Sequence, residues 1–147
     1  MNICEINRSE VPKLSDCLAA LAEHHNKVSA NFKGAFPLKP YEETLTSFSE
    51  SLEKGTSRIA AIESTEKIIG FCKIDITDND GYLSHLVVLQ KYRGSGYGKM
   101  LMDWAMEQFR KSNVRQIELK VVNGNEAIHL YEKYGFKIKS HILGLKL

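Results

Sequence analysis

Residues 87–102 run VVLQKYRGSGYGKMLM. An apolar, strand-like run from Leu86 to Leu89 enters a turn of Arg93, Gly94, Ser95, Gly96, Tyr97 and Gly98, and the turn opens a helix. Glycines at alternate positions let the backbone bend tightly and let another group come close to it. Amides left unpaired at a helix start, with the positive end of the helix dipole behind them, form an anion site. The stretch therefore reads as a phosphate cradle, set against the plainer reading of a tight structural turn. A P-loop, G-x-x-x-x-G-K-[ST], does not fit: Gly94 and Gly98 are too close, and Met100 stands where a hydroxyl belongs. The dinucleotide fingerprint G-x-G-x-x-G fails at its third glycine, which is Lys99. The pattern Arg-x-x-Gly-x-Gly is met at every position, by Arg93, Gly96 and Gly98.

The elements around the turn follow from periodicity. Upstream, residues 57–63 and 68–76 alternate around a short turn at Ser64–Lys67, as in a hairpin. After the turn at Asp78–Gly81, residues 82–89 make a third strand. Residues 2–7 read as a first strand. A helix starts at Pro12, with Leu14, Leu18, Leu21 and His25 on one face. Residues 26–40 read as a long loop or broken helix with exposed Phe32 and Phe36. Tyr41, Leu45, Phe48 and Leu52 restore the helical period, and Gly55 ends it. Downstream of the turn, Tyr97, Leu101, Trp104, Ala105 and Gln108 line one face of a helix. Residues 115–122 return as a strand, Ala127 to Tyr134 form a short helix, and Phe136 to Leu147 form a final strand or pair of strands. The order β-α-α-β-β-β-α-β-α-β predicts a mixed sheet with helices on both faces.

Composition narrows the function classes. With 147 residues the chain reads as one domain, 1–147, and 43% hydrophobic with 26% charged residues is ordinary for a globular protein. A net charge of +2, with scattered basic residues, argues against nucleic acid as partner. Cys4, Cys17 and Cys72 match neither a disulfide framework nor a zinc site, and fit reduced thiols in the cytoplasm. The N-terminus lacks a signal-peptide pattern, and no apolar run approaches the ~20 residues that span a bilayer, so no membrane role is expected. Histidines and carboxylates do not cluster at ligand spacing, so no metal is expected.

Over residues 57–140 the chain resembles the GNAT N-acetyltransferase superfamily. The hairpin and strand precede the turn, the turn carries Arg93, Gly96 and Gly98, and AIHLYEKYGF (127–136) is similar to the family's fourth-helix motif. The resemblance implies an α/β fold with a mostly antiparallel sheet of six to seven strands and four helices on its two faces. Residues 1–56 match in architecture alone, and in the family that region shapes the acceptor site. Two positions depart from the family pattern. Gly124 stands where an Asn is common, flanked by Asn123 and Asn125, and Gln90 stands where a proline is common. Asn125 thus reads either as a cofactor contact or as a helix N-cap.

The implied reaction is direct attack of an amine on acetyl-coenzyme A, bound as co-substrate. Backbone amides from Arg93 through Gly94, Ser95, Gly96, Tyr97 and Gly98 to Lys99 would hold the pyrophosphate, with charge from Arg93 or Lys99; the plain reading of Lys99 is a solvated lysine. The fourth strand, Leu86, Val87 and Val88, would line the pantetheine, with the Val88 amide as oxyanion donor and Leu86 beside it. By resemblance Tyr131 protonates the departing thiolate; it also reads as core, and Tyr134 reads as packing. His85, on the fourth strand, is the candidate base, set against a buried structural histidine. His24, His25, Phe32 and Phe36 are candidate acceptor contacts, set against helix-end and packing roles. The acceptor is a small-molecule amine or a protein amino group; relatives in the family are commonly dimers, and the sequence leaves the oligomeric state open. Two other readings stand beside this one: a catalytically silent coenzyme A-binding module of the same fold, and a different nucleotide-binding protein.

Overall fold

The structure, a computed structural model, describes residues 2–147. Its strands are β1 (Asn2–Glu5), β2 (Ser57–Ser64), β3 (Lys67–Thr77), β4 (Asp80–Val88) and β5 (Gln116–Leu119). They form one sheet in the order β1-β2-β3-β4-β5. The first three pairings are antiparallel, and β4 pairs with β5 in parallel. The helices are α1 (Ser15–Val28), α2 (Tyr41–Lys54), α3 (Tyr97–Lys111) and α4 (Ile128–Lys133).

Alternation along the central strands sends side chains to both faces of the sheet. Ile59 and Ala61 of β2, with Phe71 of β3, pack under α1 and α2 against Leu14, Leu18 and Phe48. Ala60 and Ile62, with Cys72 and Ile74, pack under α3 and α4 against Leu101, Ala105, Phe109 and Tyr131. Burial of a large apolar side chain such as Phe71 or Phe109 stabilises the fold by about 1.5–3 kcal/mol. These two cores hold the sheet between helix pairs. The end of α1 is thereby set over one face of β4 and the start of α3 over the other.

Two expectations change. The first helix is preceded by a 3-10 turn, Arg8–Leu14, which contains Pro12, and α1 begins at Ser15. Asn7 caps this turn in a capping box with Glu10, and the missing N–H of Pro12 is tolerated in so short a helical piece. The sheet has five strands rather than six to seven, because Phe136–Leu147 forms no strand. Lys139 reaches Glu118 of β5 at 3.0 Å through two long side chains. That side-chain contact is made without a backbone ladder between the two segments. Ile142, Leu143, Leu145 and Leu147 are left exposed. The alternation in this segment records β propensity; it does not supply a neighbour to pair with. β5 is likewise shorter than the expected 115–122.

Candidate active site

The site begins where two strands part. β4 and β5 are paired over Asp80–Leu83 and Gln116–Leu119, and β4 then continues to Val88 without β5. On its other side β4 stays paired with β3 throughout. Leu89 N–H donates to Ile69 O at 2.8 Å, which sets the phase of that ladder. Antiparallel residues alternate between bonding to the neighbour and pointing away from it. Val87 therefore bonds to β3, while the N–H and C=O of Leu86 and Val88 point into the gap. Arg93 Nε donates to the Val88 carbonyl at 2.8 Å, as this phase requires. A cavity of about 50 Å³ lies at the parting point, lined in part by His25, Ser84, His85, Leu86, Asn125 and Tyr131. It adjoins an open cleft of about 2330 Å³ bounded by the 29–44 loop, α2, β5 and residues 136–144. Leu86, rather than Val88, shares the small cavity with Tyr131.

The glycine turn prepares the other end. Gly94 and Gly96 have φ of +83° and +88°, and Gly96 caps α3 without any side-chain bond. The first helical bond is Met100 N–H to Gly96 O, so the amides of Tyr97, Gly98 and Lys99 are not used by the helix. No acidic residue sits in the first turn of α3, and nothing lies within 4 Å of a Cβ added at Gly94 or Gly96. The turn thus offers open space, free donors and the helix dipole, which suits a phosphate group. Ser95 is exposed beside it. Lys99 is exposed and paired with Asp103 at 2.7 Å. The Arg93 amide is taken by Gln90 O at 3.2 Å, so it is not among the free donors.

Arg93 turns back toward the sheet. Its Nη1 donates to His24 Nδ1 at 3.2 Å, and His24 Nε2–H reaches Asn125 Oδ1 at 3.4 Å. Asn125 Oδ1 also accepts the Ala127 N–H at 3.0 Å, capping the start of α4. These contacts tie the end of α1, the turn and the start of α4 together. Burial, and then the Arg93 cation, hold the His24 pKa below its ordinary value. Gly124 strengthens the same strap. Its φ is +104°, and a Cβ there would lie 2.1 Å from Val28 O. Ala30 N–H donates to Asn123 O at 3.0 Å alongside. An asparagine cannot occupy position 124 with the backbone in this place, and the neighbouring Asn125 supplies the polar side chain.

The two candidate tyrosines separate clearly. Tyr134 OH donates to Asp103 Oδ1 at 2.6 Å, pinning α4 to α3. Tyr131 is buried, packs edge-on against Phe136 and lines the cavity. Burial, with a smaller effect of Cys72, pushes its phenol up to about 12. His85 lies between Phe48, edge-on at 4.8 Å, and Phe71, stacked at 6.1 Å. Burial, then the Lys73 cation, lowers its pKa to about 4. His25 meets Phe36 edge-on at 5.1 Å, and both line the cleft together with Phe32.

Sequence reasoning overlooked three residues here, Ser84, Lys73 and Asn26. Ser84 is the extra residue of a β-bulge, since Lys73 pairs with His85 but Ile74 pairs with Leu83. Lys73 is buried and paired with Asp75 at 2.6 Å. Asn26 Oδ1 accepts from the amides of Gly34 and Phe36, and its Nδ2 donates to Phe36 O, which holds the loop that carries Phe32 and Phe36. The one available signal was a lysine and an aspartate two residues apart, Lys73 and Asp75, inside the largely apolar strand IIGFCKIDI. Among the described residues no His, Cys, Asp or Glu group is arranged to hold a metal, and no helix is long and apolar enough to cross a membrane.

Comparison with known proteins places these features in context. The profile described as "Acetyltransferase (GNAT) family" matches residues 21–136. A [ribosomal protein bS18]-alanine N-acetyltransferase of Haemophilus influenzae is 34% identical over 70 residues, 48% of this chain and 48% of that protein. A Bacillus subtilis protein provisionally named for the same activity is 29% identical over 91 residues, 61% of this chain and 60% of that protein. The chain therefore spans about half the length of these relatives. The crystal structure of PaiA N-acetyltransferase from Thermoplasma acidophilum, in complex with coenzyme A, superimposes with a TM-score of 0.79. That match covers 96% of this chain and 92% of the other at 18% identity, and is a likeness of fold.

Proposed function

The chain belongs to the GNAT acetyltransferase family, and from that premise we propose that it transfers an acetyl group from acetyl-coenzyme A to a protein amino group. The observation that carries the reading is the parting of β4 and β5, which leaves backbone groups of Leu86 and Val88 without a strand partner and opens beside Leu86 a cavity shared with Tyr131 and His85. The free amides of Tyr97, Gly98 and Lys99 hold the pyrophosphate. The Val88 amide pairs with the pantetheine arm. The Leu86 amide, on the residue that shares the cavity with Tyr131, donates to the carbonyl oxygen as charge develops there. The amine nitrogen bonds to the acetyl carbon and the carbon–sulfur bond breaks, so that sulfur leaves with the electron pair. Tyr131 stays protonated at neutral pH and donates to that sulfur. His85 Nε2 accepts a hydrogen bond from the amine N–H, water carries away the proton that the amine loses, and bulk solvent restores the phenol proton. Arg93, His24 and Asn125 hold the turn, α1 and α4 around the co-substrate.

One fact supports a protein acceptor over a small amine. Relatives carry the name of ribosomal-protein N-acetyltransferases. The open cleft beside the cavity is bounded by the 29–44 loop, α2, β5 and residues 136–144. Phe32, Phe36 and His25 line its wall from the loop side. A cytoplasmic setting accords with three free cysteines. The test combines calorimetric titration with acetyl-coenzyme A and an assay for released thiol, using peptides with a free N-terminal alanine, the same peptides blocked, and a polyamine. Turnover on the free peptide alone is the expected result. Turnover on the polyamine alone refutes the acceptor class, and absence of acetyl-coenzyme A binding refutes the site.

A further inference from the structure

Next to the cavity lies a buried polar cluster for which acetyl transfer as described above has no use. Lys73 Nζ donates to Asp75 Oδ1 at 2.6 Å and approaches Ser84 Oγ at 3.4 Å. Ser57 Oγ donates to the same Asp75 oxygen. Ser84 Oγ lies 3.3 Å from the Lys73 carbonyl and 3.1 Å from His85 Nδ1. Ser84 owes this position to the bulge, where it is the residue of β4 without a ladder partner.

A hydroxyl has one proton and two lone pairs, and an ammonium donates only. One assignment satisfies all three Ser84 contacts. Its proton goes to the Lys73 carbonyl, one lone pair faces Lys73 Nζ, and the other accepts a proton from His85 Nδ1. We propose that the Ser84 bulge is a positioning device: with Lys73 behind it, the hydroxyl fixes His85 as the Nδ1–H tautomer and keeps Nε2 as a standing acceptor for the N–H of the incoming amine. The amine role rests on the acetyltransferase reading; the tautomer does not. Phe48 and Phe71 hold the ring so that it does not rotate away. No described side-chain nitrogen is both buried and without a partner, and no protein group pairs with Nε2. Nε2 therefore reaches the solvent space of the cavity that His85 lines. The charged or titratable groups facing the ring are Lys73 and Asp75 from β3 and His25 from α1, while α2 presents Phe48. Burial, and then Lys73 and His25 against Asp75, disfavour imidazolium, so the acceptor lone pair persists at neutral pH. Ser84 and Lys73 are positioning residues, acting through His85.

Nitrogen-15 NMR of the histidine-labelled full chain reads the tautomer without any need for activity. The expected spectrum shows a protonated Nδ1 and an unprotonated Nε2 for His85, unchanged between pH 8 and pH 6. Ser84→Ala is expected to move the ring to the Nε2–H form and lower kcat about tenfold, the loss of one hydrogen bond, with KM for acetyl-coenzyme A unchanged. Ser84→Thr, which keeps the hydroxyl, restores both. An Nε2–H tautomer in the wild-type protein, or an unchanged tautomer in Ser84→Ala, overturns the proposal. The expected tautomer in a protein that turns over no amine upholds the device and removes the acetyltransferase reading instead.

Discussion

Replacing Tyr131 with phenylalanine separates the chemistry of this residue from its packing. The ring is buried against Phe136 and the apolar layer under α3 and α4, and phenylalanine preserves that contact. Burial pushes the phenol up to about 12, and a thiol ionises near ~8.5. Full proton transfer to a free thiolate is therefore uphill by about 3.5 units, or about 5 kcal/mol. The residue accordingly works as a hydrogen-bond donor to sulfur while charge builds, and the proton follows as solvent enters. A hydrogen bond to a charged group contributes about 1.5–3 kcal/mol, so Tyr131→Phe should lower kcat by roughly 10- to 150-fold. KM for acetyl-coenzyme A should stay the same, because the hydroxyl is engaged only as the carbon–sulfur bond breaks. The assay is steady-state release of free thiol, with urea unfolding as the control for folding. In the wild-type enzyme no basic limb from this group should appear below about pH 10, since the phenol stays protonated. A variant that keeps kcat within about twofold, with wild-type stability, removes Tyr131 from the reaction and refutes the leaving-group argument.

Tyr134→Phe is the matched contrast: it breaks the bond to Asp103, and should cost about 1 kcal/mol in urea unfolding with kcat unaltered. Gly124→Asn forces a side chain into Val28 O at a backbone angle of +104°. Left-handed strain of about 1–2 kcal/mol and loss of the Ala30–Asn123 bond, about 1 kcal/mol, should destabilise the protein by about 3 kcal/mol; a change below about 1 kcal/mol would show that the strap is loose. His85 should make the fold acid-sensitive. Its folded pKa, about 4, lies below the unfolded ~6.5, so the unfolded chain binds the proton first. Its neutral form's contribution is fully present above about pH 6.5 and is lost as the pH falls toward about 4, by roughly 3 kcal/mol in total. Urea titrations at stepped pH should show this slope in the wild-type protein and a shallower one in His85→Gln. Gly96→Ala introduces strain at φ +88° in open space, and should weaken acetyl-coenzyme A binding in calorimetry more than it alters the unfolding midpoint.

The turn at 93–98 was legible because its chemistry is local. Glycine at a left-handed position and a helix beginning without a side-chain cap are properties of consecutive residues, and so are the alternation of β2 and β3 and the period of α3. Local patterns of this kind singled out the turn as a candidate phosphate cradle, and the resemblance of residues 127–136 to the family motif named Tyr131. They also suggested a final strand at 136–147, where propensity was present and a pairing partner was not. The resemblance ranked the candidates, and the tertiary structure supplied the contacts that distinguish them. Tyr131 and Tyr134 lie on the same helix face in sequence, and the packing of α4 on α3 alone gives one hydroxyl to Asp103 and leaves the other at the cavity. Leu86 and Val88 differ from Val87 by the phase of the β3–β4 ladder, which residue types do not encode. The bulge at Ser84, the bond from Arg93 to His24 and the contact between Gly124 and Val28 join residues far apart in the chain. Local energies act over a few residues, so they select elements. Which polar groups are left without partners is settled only when those elements pack, and in this protein those leftover groups make the site.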